Sequence, residues 1–206
     1  MSATTRWWWI RHAPVTTDGG RIYGQTDMPA DCSQAEVFAG LAATLPGGAV
    51  WVASNLQRTH QTAAAIRAAG HDAPEPVVVA ALAEQHFGDW QGQSRTEIFA
   101  NHGADHGFWL APAEHAPPGG ESFVQLMGRV TDAIEELNVT HAGRDIVAVA
   151  HGGTIRAAIG HALGLPTDRS LGFVVDNCSL TRLDHIDGGA RGAAWRIAGL
   201  NLRPGL

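Results

Sequence analysis

The sequence predicts an α/β fold, a three-layer sandwich with a mostly parallel central sheet flanked by helices. Short, continuous apolar runs recur along the chain, as expected of strands buried on both faces. Segments with apolar residues at helical spacing lie between them, which is the alternation a parallel sheet with crossover helices requires. Most of these runs end in polar or glycine-rich residues, and ligands of such sheets gather at the carboxyl ends of the strands.

Arg6 to Ile10 (RWWWI) is the first predicted strand and leads into Arg11-His12. Strand alternation sends Trp7 and Trp9 to one face, so core packing accounts for the tryptophan run better than an aromatic stacking platform does. Ala35 to Leu45 repeats apolar residues at three and four and predicts a helix. Ala49 to Ala53 (AVWVA) predicts a strand ending at Ser54-Asn55, and the Ala-rich segment Thr59 to Ala69 a helix. Pro76 to Leu82 (PVVVAAL) predicts a third strand, ending just before Glu84. The stretch Ala111 to Gly120 (APAEHAPPGG) reads as one long loop within a single domain spanning 1–206. Glu121 to Val139 places Phe123, Leu126, Met127, Val130, Ile134 and Leu137 on one face and is the longest predicted helix. Asp145 to Ala150 (DIVAVA) predicts a strand running into His151-Gly152-Gly153, followed by a helix over Thr154 to Leu163. Cys178 to Leu183 and Ala194 to Leu200 predict further strands.

A chain of 206 residues can bury roughly 70% of its unfolded surface without staples. A composition 45% hydrophobic and 17% charged is that of a globular protein. The two cysteines, Cys32 and Cys178, imply no disulfide framework and suggest a reducing compartment. Met1 to Ile10 lacks the apolar core and cleavage site of a signal peptide, and no run of about 18 apolar residues exists. A cytoplasmic protein with no membrane partner is expected. The net charge of −6 argues against nucleic-acid binding, which normally needs a basic face. Such a chain binds a phosphate only where its few arginines converge.

Four segments carry candidate chemistry. In Arg11-His12, a histidine leaving a strand end beside a permanent cation suits nucleophilic attack on a phosphoryl group whose oxygens the arginine holds. In Ser54 to Ala63 (SNLQRTHQTA), a strand gives way to a helix whose first amides favour an anion, with Arg58 within reach of it. In His151-Gly152-Gly153-Thr154-Ile155-Arg156, the glycine pair lets backbone amides approach a phosphate, and a protonated His151 would donate to an oxyanion. Glu84 stands at a predicted strand end, where a nearby bound dianion disfavours the ionised carboxyl, so that it could hold a proton for a leaving alkoxide.

Taken in order, these segments resemble the histidine phosphatase superfamily, the phosphoglycerate mutase-like family. Its order is Arg-His after the first strand, Ser-x-Leu-x-Arg-x-x-Gln-Thr-Ala, Leu-x-Glu-x-x-Phe-Gly-x-Trp-x-Gly, then His-Gly-Gly-x-Ile-Arg. Here these are Arg11-His12, Ser54 to Ala63, Leu82 to Gly92 and His151 to Arg156. Pro118 to Ser122 also resembles the segment before the family's long helix. The resemblance implies His12 as the phosphorylated nucleophile, Arg11, Arg58, His151 and Gly152 around the phosphoryl oxygens, and Glu84 as proton donor and then base for water. It implies a small phosphorylated metabolite as substrate and needs no metal or other cofactor, because the arginines supply the positive charge. A helical or loop insert around 93–120 is expected over the site, with Trp109 and Gln25 as possible substrate contacts and Trp90 as a further one.

One departure stands out. The family usually has glycine after Arg-His, whereas this chain has Ala13-Pro14-Val15, which puts a methyl near the expected phosphate. Thr16, Thr17 and Gln25 are then the candidates for supplying a donor instead. Three other readings remain open. Phosphoglycerate mutase-type transfer would need more basic residues than Arg95 near the Glu84 segment. A non-catalytic phosphate-binding module would follow if Ala13-Pro14 marks a degraded site. A metal hydrolase is suggested by 11 histidines, but only His102 and His106 have helical ligand spacing, and Gly103 and Gly107 weaken that helix. His115, His141, His161 and His185 read as mostly solvated. The Tyr23 to Pro29 segment looks like the small phosphatase branch that includes α-ribazole phosphatases.

Overall fold

A computed structural model describes residues 3–103, 109–188, 192 and 194–204. Six strands form one sheet in the order β3-β2-β4-β1-β5-β6. These are β1 (Thr4–Arg11), β2 (Val50–Ala53), β3 (Val77–Val78), β4 (Asp145–Ala150), β5 (Leu180–Ile186) and β6 (Ala194–Leu202). The block β3-β2-β4-β1 is parallel throughout, and β5 and β6 extend it antiparallel. The parallel strands are joined through helices, and β6 follows β5 with no helix between them among the described residues.

Period-two alternation decides what each face buries. Trp7, Trp9, Val52, Ile146 and Ala148 face one layer, packed by Leu126, Val130 and Ile134 of α4 (Phe123–Thr140) and by Ile155 and Ile159 of α5 (Gly152–Leu163). Ile10, Trp51, Ala53, Val147 and Val149 face the other, against Phe38 and Leu41 of α1 (Ala35–Thr44) and Ala63 and Ile66 of α2 (Gln57–Ala68). This is the expected three-layer arrangement. Trp7 and Trp9 are fully buried and stacked with ring centroids 4.9 Å apart. The tryptophan run is therefore core on the faces it reaches, and the Trp7 indole N–H donates to Asn138 Oδ1 at 2.8 Å.

The third strand departs from expectation. Only Val77 and Val78 join the sheet, both exposed at its edge, and Ala80–Leu82 then forms a 3-10 turn. Val79 N–H still reaches Ala53 O at 2.8 Å, after which Leu82 N–H turns back to Val79 O at 2.9 Å. The two small alanines offer little β-branched surface to hold an edge strand, so the chain peels off. Glu84 consequently follows a turn that carries it toward the start of α5, rather than a strand end.

Between β3 and α4, α3 (Arg95–His102) is the one helix of the 93–120 segment among the described residues. Ser94 caps it, its hydroxyl accepting from Glu97 N–H. Trp109 lies beyond α3 in a bend and not on a helix, while Phe108 and His106 fall outside the described residues. The last helix, α6 (Thr167–Ser170), leads back toward β5.

Candidate active site

Three strand ends and one turn bring the chemical segments together. His12 follows β1 and His151 follows β4, and because β1 and β4 are parallel neighbours with Arg11 opposite Ala150 the two histidines emerge side by side. Their ring centroids are 5.1 Å apart. His12 is 1% exposed, and His151 and Arg58 are fully buried.

Hydrogen bonds assign a tautomer to each imidazole. His12 Nδ1 lies 2.7 Å from Ala13 O, an acceptor only, so Nδ1 carries the proton and Nε2 carries the lone pair. Arg58 Nε, always a donor, lies 3.3 Å from His151 Nδ1, so that nitrogen accepts. His151 Nε2–H then donates to Ser54 Oγ at 2.8 Å. Burial, followed by the Arg58 and Arg11 guanidinium groups, holds His12 well below the usual histidine pKa. Burial, His12 and the arginines do the same to His151. These surroundings alone do not favour a protonated His151, since a second proton there would face cations on every side.

This pair has a stability consequence. In the unfolded chain both rings titrate near the ordinary value of about 6.5, while folded they stay neutral to a lower pH. Below that ordinary value the unfolded state binds more protons, so stability is full above it and is lost as pH falls toward the folded pKa values. Each ring contributes a slope of up to about 1.4 kcal/mol per pH unit in that window. Urea unfolding at pH 7.5 and pH 5.5 should show the loss; a pH-independent midpoint would contradict neutral burial of the pair.

Arg58 is gripped rather than free. Its Nη1 donates to Thr26 O at 3.0 Å and its Nη2 to Gly24 O at 2.6 Å, and its guanidinium lies 5.1 Å from the Tyr23 ring centroid. Those carbonyls belong to the Tyr23 to Pro29 segment, whose part in holding Arg58 had no sequence signal beyond its turn-like composition. The amide end of α2, expected to attract a substrate anion, is capped by the chain's own Asp27, which accepts from Gln57 N–H at 2.7 Å. Arg11 behaves differently. Its Nη1 donates to Val175 O at 2.6 Å, but its buried Nε has no partner among the described residues.

Ala13 does not intrude. It is fully buried in the core on the α1/α2 face, and its N–H donates to Thr62 Oγ1 at 2.9 Å. The expected methyl beside the phosphate is instead packed away from it, and Thr16 and Thr17 are exposed.

Glu84 is braced from both ends. Its carboxyl accepts from Gln85 N–H at 3.0 Å and from Gly153 N–H at 3.1 Å, at the first turn of α5. Its backbone carbonyl accepts from Gln25 Nε2 at 2.8 Å and Arg129 Nη2 at 3.0 Å. Gln25, expected as a substrate contact, therefore has its side-chain amide engaged in positioning Glu84. Arg129 was not expected at all. From α4 it also donates to Ala81 O, Ala83 O and both oxygens of Glu121. A sequence signal for it existed only in hindsight, as a lone arginine on the apolar face of the longest helix.

The glycine pair serves two side chains. A Cβ at Gly152 would stand 3.1 Å from Arg156 Nη1 and 3.6 Å from Arg11 Nε, and one at Gly153 would overlap Glu84 Oε1. Gly153→Ala should displace that carboxyl by a fraction of a bond length or more, at a cost on the order of 10²-fold in kcat. Thermal unfolding should change little, since the helical backbone tolerates alanine. A large loss of melting temperature with intact kcat would contradict this.

A cavity of about 490 Å³ opens on the cluster. Arg11, Glu84 and Gly152 line it together with Tyr23, Arg95, Phe99, Trp109 and Arg156. His12, Arg58 and His151 are not in its wall, but Arg11 and Gly152, the chain neighbours of His12 and His151, are. Trp109 lines the cavity as expected, with the Arg156 guanidinium 4.8 Å from its ring centroid. Trp90 does not. It is buried and stacked against His102 and His115 at 4.8 and 5.4 Å. His102 and His115 are exposed, as expected, while stacked on Trp90; His161 and His185 are half-buried against Trp195, with His161 also paired to Glu135.

A family model described as the histidine phosphatase superfamily (branch 1) matches residues 7–198. The chain belongs to this superfamily. Among curated relatives of this histidine phosphatase is a glucosyl-3-phosphoglycerate phosphatase of Mycolicibacterium vanbaalenii, 32% identical, with 91% of this chain and 90% of the relative covered. An adenosylcobalamin/alpha-ribazole phosphatase of Escherichia coli is 26% identical over 87% of this chain and 89% of its own length. Among solved structures, a mycobacterial glucosyl-3-phosphoglycerate phosphatase superposes with a TM-score of 0.80 at 29% identity, covering 97% of this chain and 99% of that one. No helix among the described residues is long and apolar enough to cross a membrane.

Proposed function

We propose that this histidine phosphatase is a metal-independent phosphomonoesterase acting through a phosphohistidine intermediate on a small phosphorylated metabolite. The observation that carries this reading is a neutral His12 whose Nε2 keeps its lone pair, in the residue next to Arg11, whose buried Nε has no partner among the described residues. An orphaned buried guanidinium N–H is costly unless an anion completes it.

In the first half-reaction, His12 Nε2 attacks phosphorus, the P–N bond forms, and the ester P–O bond breaks. Glu84 delivers its proton to the leaving oxygen. In the second, Glu84 takes a proton from water, whose oxygen attacks the phosphoryl group and releases His12. Arg11, Arg58, Gly152 and His151 stabilise the charge on the phosphoryl oxygens in both steps. Arrival of the dianion offsets the surrounding cations, favours protonation of His151, and frees it from the Arg58 contact to donate. Arg11 and Arg58 supply the positive charge a metal would otherwise provide. Residues 93–120 act as the insert over the site of a single domain, supplying Arg95, Phe99 and Trp109 to the cavity wall. Two free thiols, Cys32 and Cys178, fit a cytoplasmic setting.

Mutase-type transfer is the second reading, and the observation in its favour is Arg95 and Arg156 in the cavity wall beyond the phosphoryl site. A binding module is disfavoured, because Ala13 packs into the core without disturbing the cluster. A panel of phosphomonoesters assayed with and without excess chelator tests the proposal. Inorganic phosphate should be released at the same rate in both conditions. Loss of turnover in chelator would overturn the metal-free mechanism, and transfer to a second phosphoglycerate with little free phosphate would favour the mutase.

A further inference from the structure

We propose that Arg156, laid on Trp109, selects phosphomonoesters whose leaving group carries a carboxylate. This rests on the phosphatase reading and extends it to the substrate's other end.

Arg156 lies one helical turn after Gly152 on α5, so both present the same side of the helix. It therefore enters the cavity wall beside Arg11 and Glu84. Its Nε is occupied, donating to Phe173 O at 2.8 Å. Its Nη1 and Nη2 donate to none of the described residues. One face of the guanidinium rests on Trp109, and that indole is itself held edge-on against Phe123 at 5.9 Å. The planar group is thus fixed in orientation, with its end-on edge of two N–H forks open to the cavity.

Burial lowers the Arg156 pKa to about 10, which still leaves it cationic at neutral pH. A partly desolvated cation with an open edge is an anion site. The phosphoryl dianion is already met by Arg11 and Arg58, so Arg156 is surplus to it. Its Nη1 lies 3.1 Å from where a Gly152 Cβ would stand, so an anion it holds lies close to the phosphoryl site. A single guanidinium balances a single negative charge, and Glu84 in the same wall opposes a second dianion. Tyr23, Arg95 and Thr96 are further side-chain donors in the same wall, but Arg156 is the one laid on Trp109 beside Gly152. A carboxylate on the carbon skeleton of the leaving alcohol fits this charge, geometry and spacing. Trp109 is a positioning residue in this scheme, acting through Arg156.

The test uses matched pairs that differ by the carboxylate: 3-phosphoglycerate against glycerol 3-phosphate, and O-phosphoserine against O-phosphoethanolamine. The intact protein should favour the carboxylated member of each pair by about 10- to 100-fold in kcat/KM, as a charge-assisted hydrogen-bond pair contributes. Arg156→Gln should collapse that ratio to about 3-fold or less, with the loss falling on the carboxylated esters and chiefly in KM. Trp109→Leu should narrow the ratio in the same direction while keeping the charge. Equal losses on both members of a pair would assign Arg156 to the phosphoryl group and overturn the proposal, as would an intact protein that does not discriminate within either pair. If Arg156→Gln does not fold, Arg156→Lys carries the test, since charge without the fork should lower the ratio and an unchanged ratio overturns the proposal. Turnover of p-nitrophenyl phosphate without carboxylate preference sinks this inference alone. Absence of turnover with every ester sinks the phosphatase reading itself.

Discussion

His12→Ala is expected to remove turnover, with kcat falling on the order of 10⁴-fold or more, as loss of a covalent nucleophile does. The covalent phosphoenzyme should vanish with it. Alanine leaves Arg11, Arg58 and His151 in place, so binding of inorganic phosphate should survive, and this separates loss of chemistry from loss of the site. The fold should hold as well. Among the described residues the His12 side chain makes one hydrogen bond, to the neighbouring Ala13 carbonyl, whereas its backbone N–H to Ala150 O and its carbonyl to Asn177 remain available to any residue. Removing a neutral ring held among cations also leaves those cations better able to take an anion. A His12→Ala protein that hydrolyses phosphoesters at an appreciable fraction of the original rate would mean another group is the nucleophile.

Glu84→Gln is the second large effect, and its size should depend on what leaves. Alkoxides are poor leaving groups, and for their esters the loss should approach the 10²- to 10⁴-fold typical of a positioned general acid. Nitrophenolate leaves as a stable anion and needs little help, so transfer from p-nitrophenyl phosphate should slow far less. The glutamine is nearly isosteric, and its amide oxygen can still accept from Gly153 N–H, so the brace through Gln25 and Arg129 stays intact. Dephosphorylation also needs a base for water, so the phosphoenzyme formed from p-nitrophenyl phosphate should accumulate. Equal losses with both leaving groups would mean that Glu84 orders the site and does not donate the proton.

Much of this was legible in the chain because the informative features are local. Continuous apolar runs and helical periods marked five of the six strands and the four main helices. The dipeptides at the run ends then marked His12 and His151. Where reading failed, long-range packing decided. Pro76 to Leu82 carries strand-like valines, but only a neighbouring strand can decide how many pair, and the chain leaves the sheet after two. Gln25 and Arg129 reveal their use only once the turn before Glu84 is placed between them. Trp90 and Trp109 are chemically alike in the sequence, yet one is buried and stacked against two imidazoles while the other lines the cavity beneath Arg156. That His151 is neutral in the folded chain could not be read from the sequence for a related reason. Its surroundings contain Arg58 from α2 and Arg11 from β1, distant in sequence, and their summed positive charge, with burial, keeps the ring neutral.

The Ala13 substitution teaches the same lesson. Read along the chain, it stands beside the nucleophile and threatens the phosphate; in the fold, its Cβ belongs to the opposite, buried side, where Thr62 takes its N–H.

The account turns on which nitrogen of one ring is free. Because Nδ1 of His12 is committed to Ala13 O, the phosphoryl group must go to Nε2. Rapid acid-free quenching during turnover, followed by phosphorus NMR and mass spectrometry of the phosphopeptide, measures this directly. The geometry predicts a single acid-labile, base-stable phosphate on His12, bonded at Nε2. Phosphate bonded at Nδ1, found on another residue, or never formed while product accumulates would contradict it.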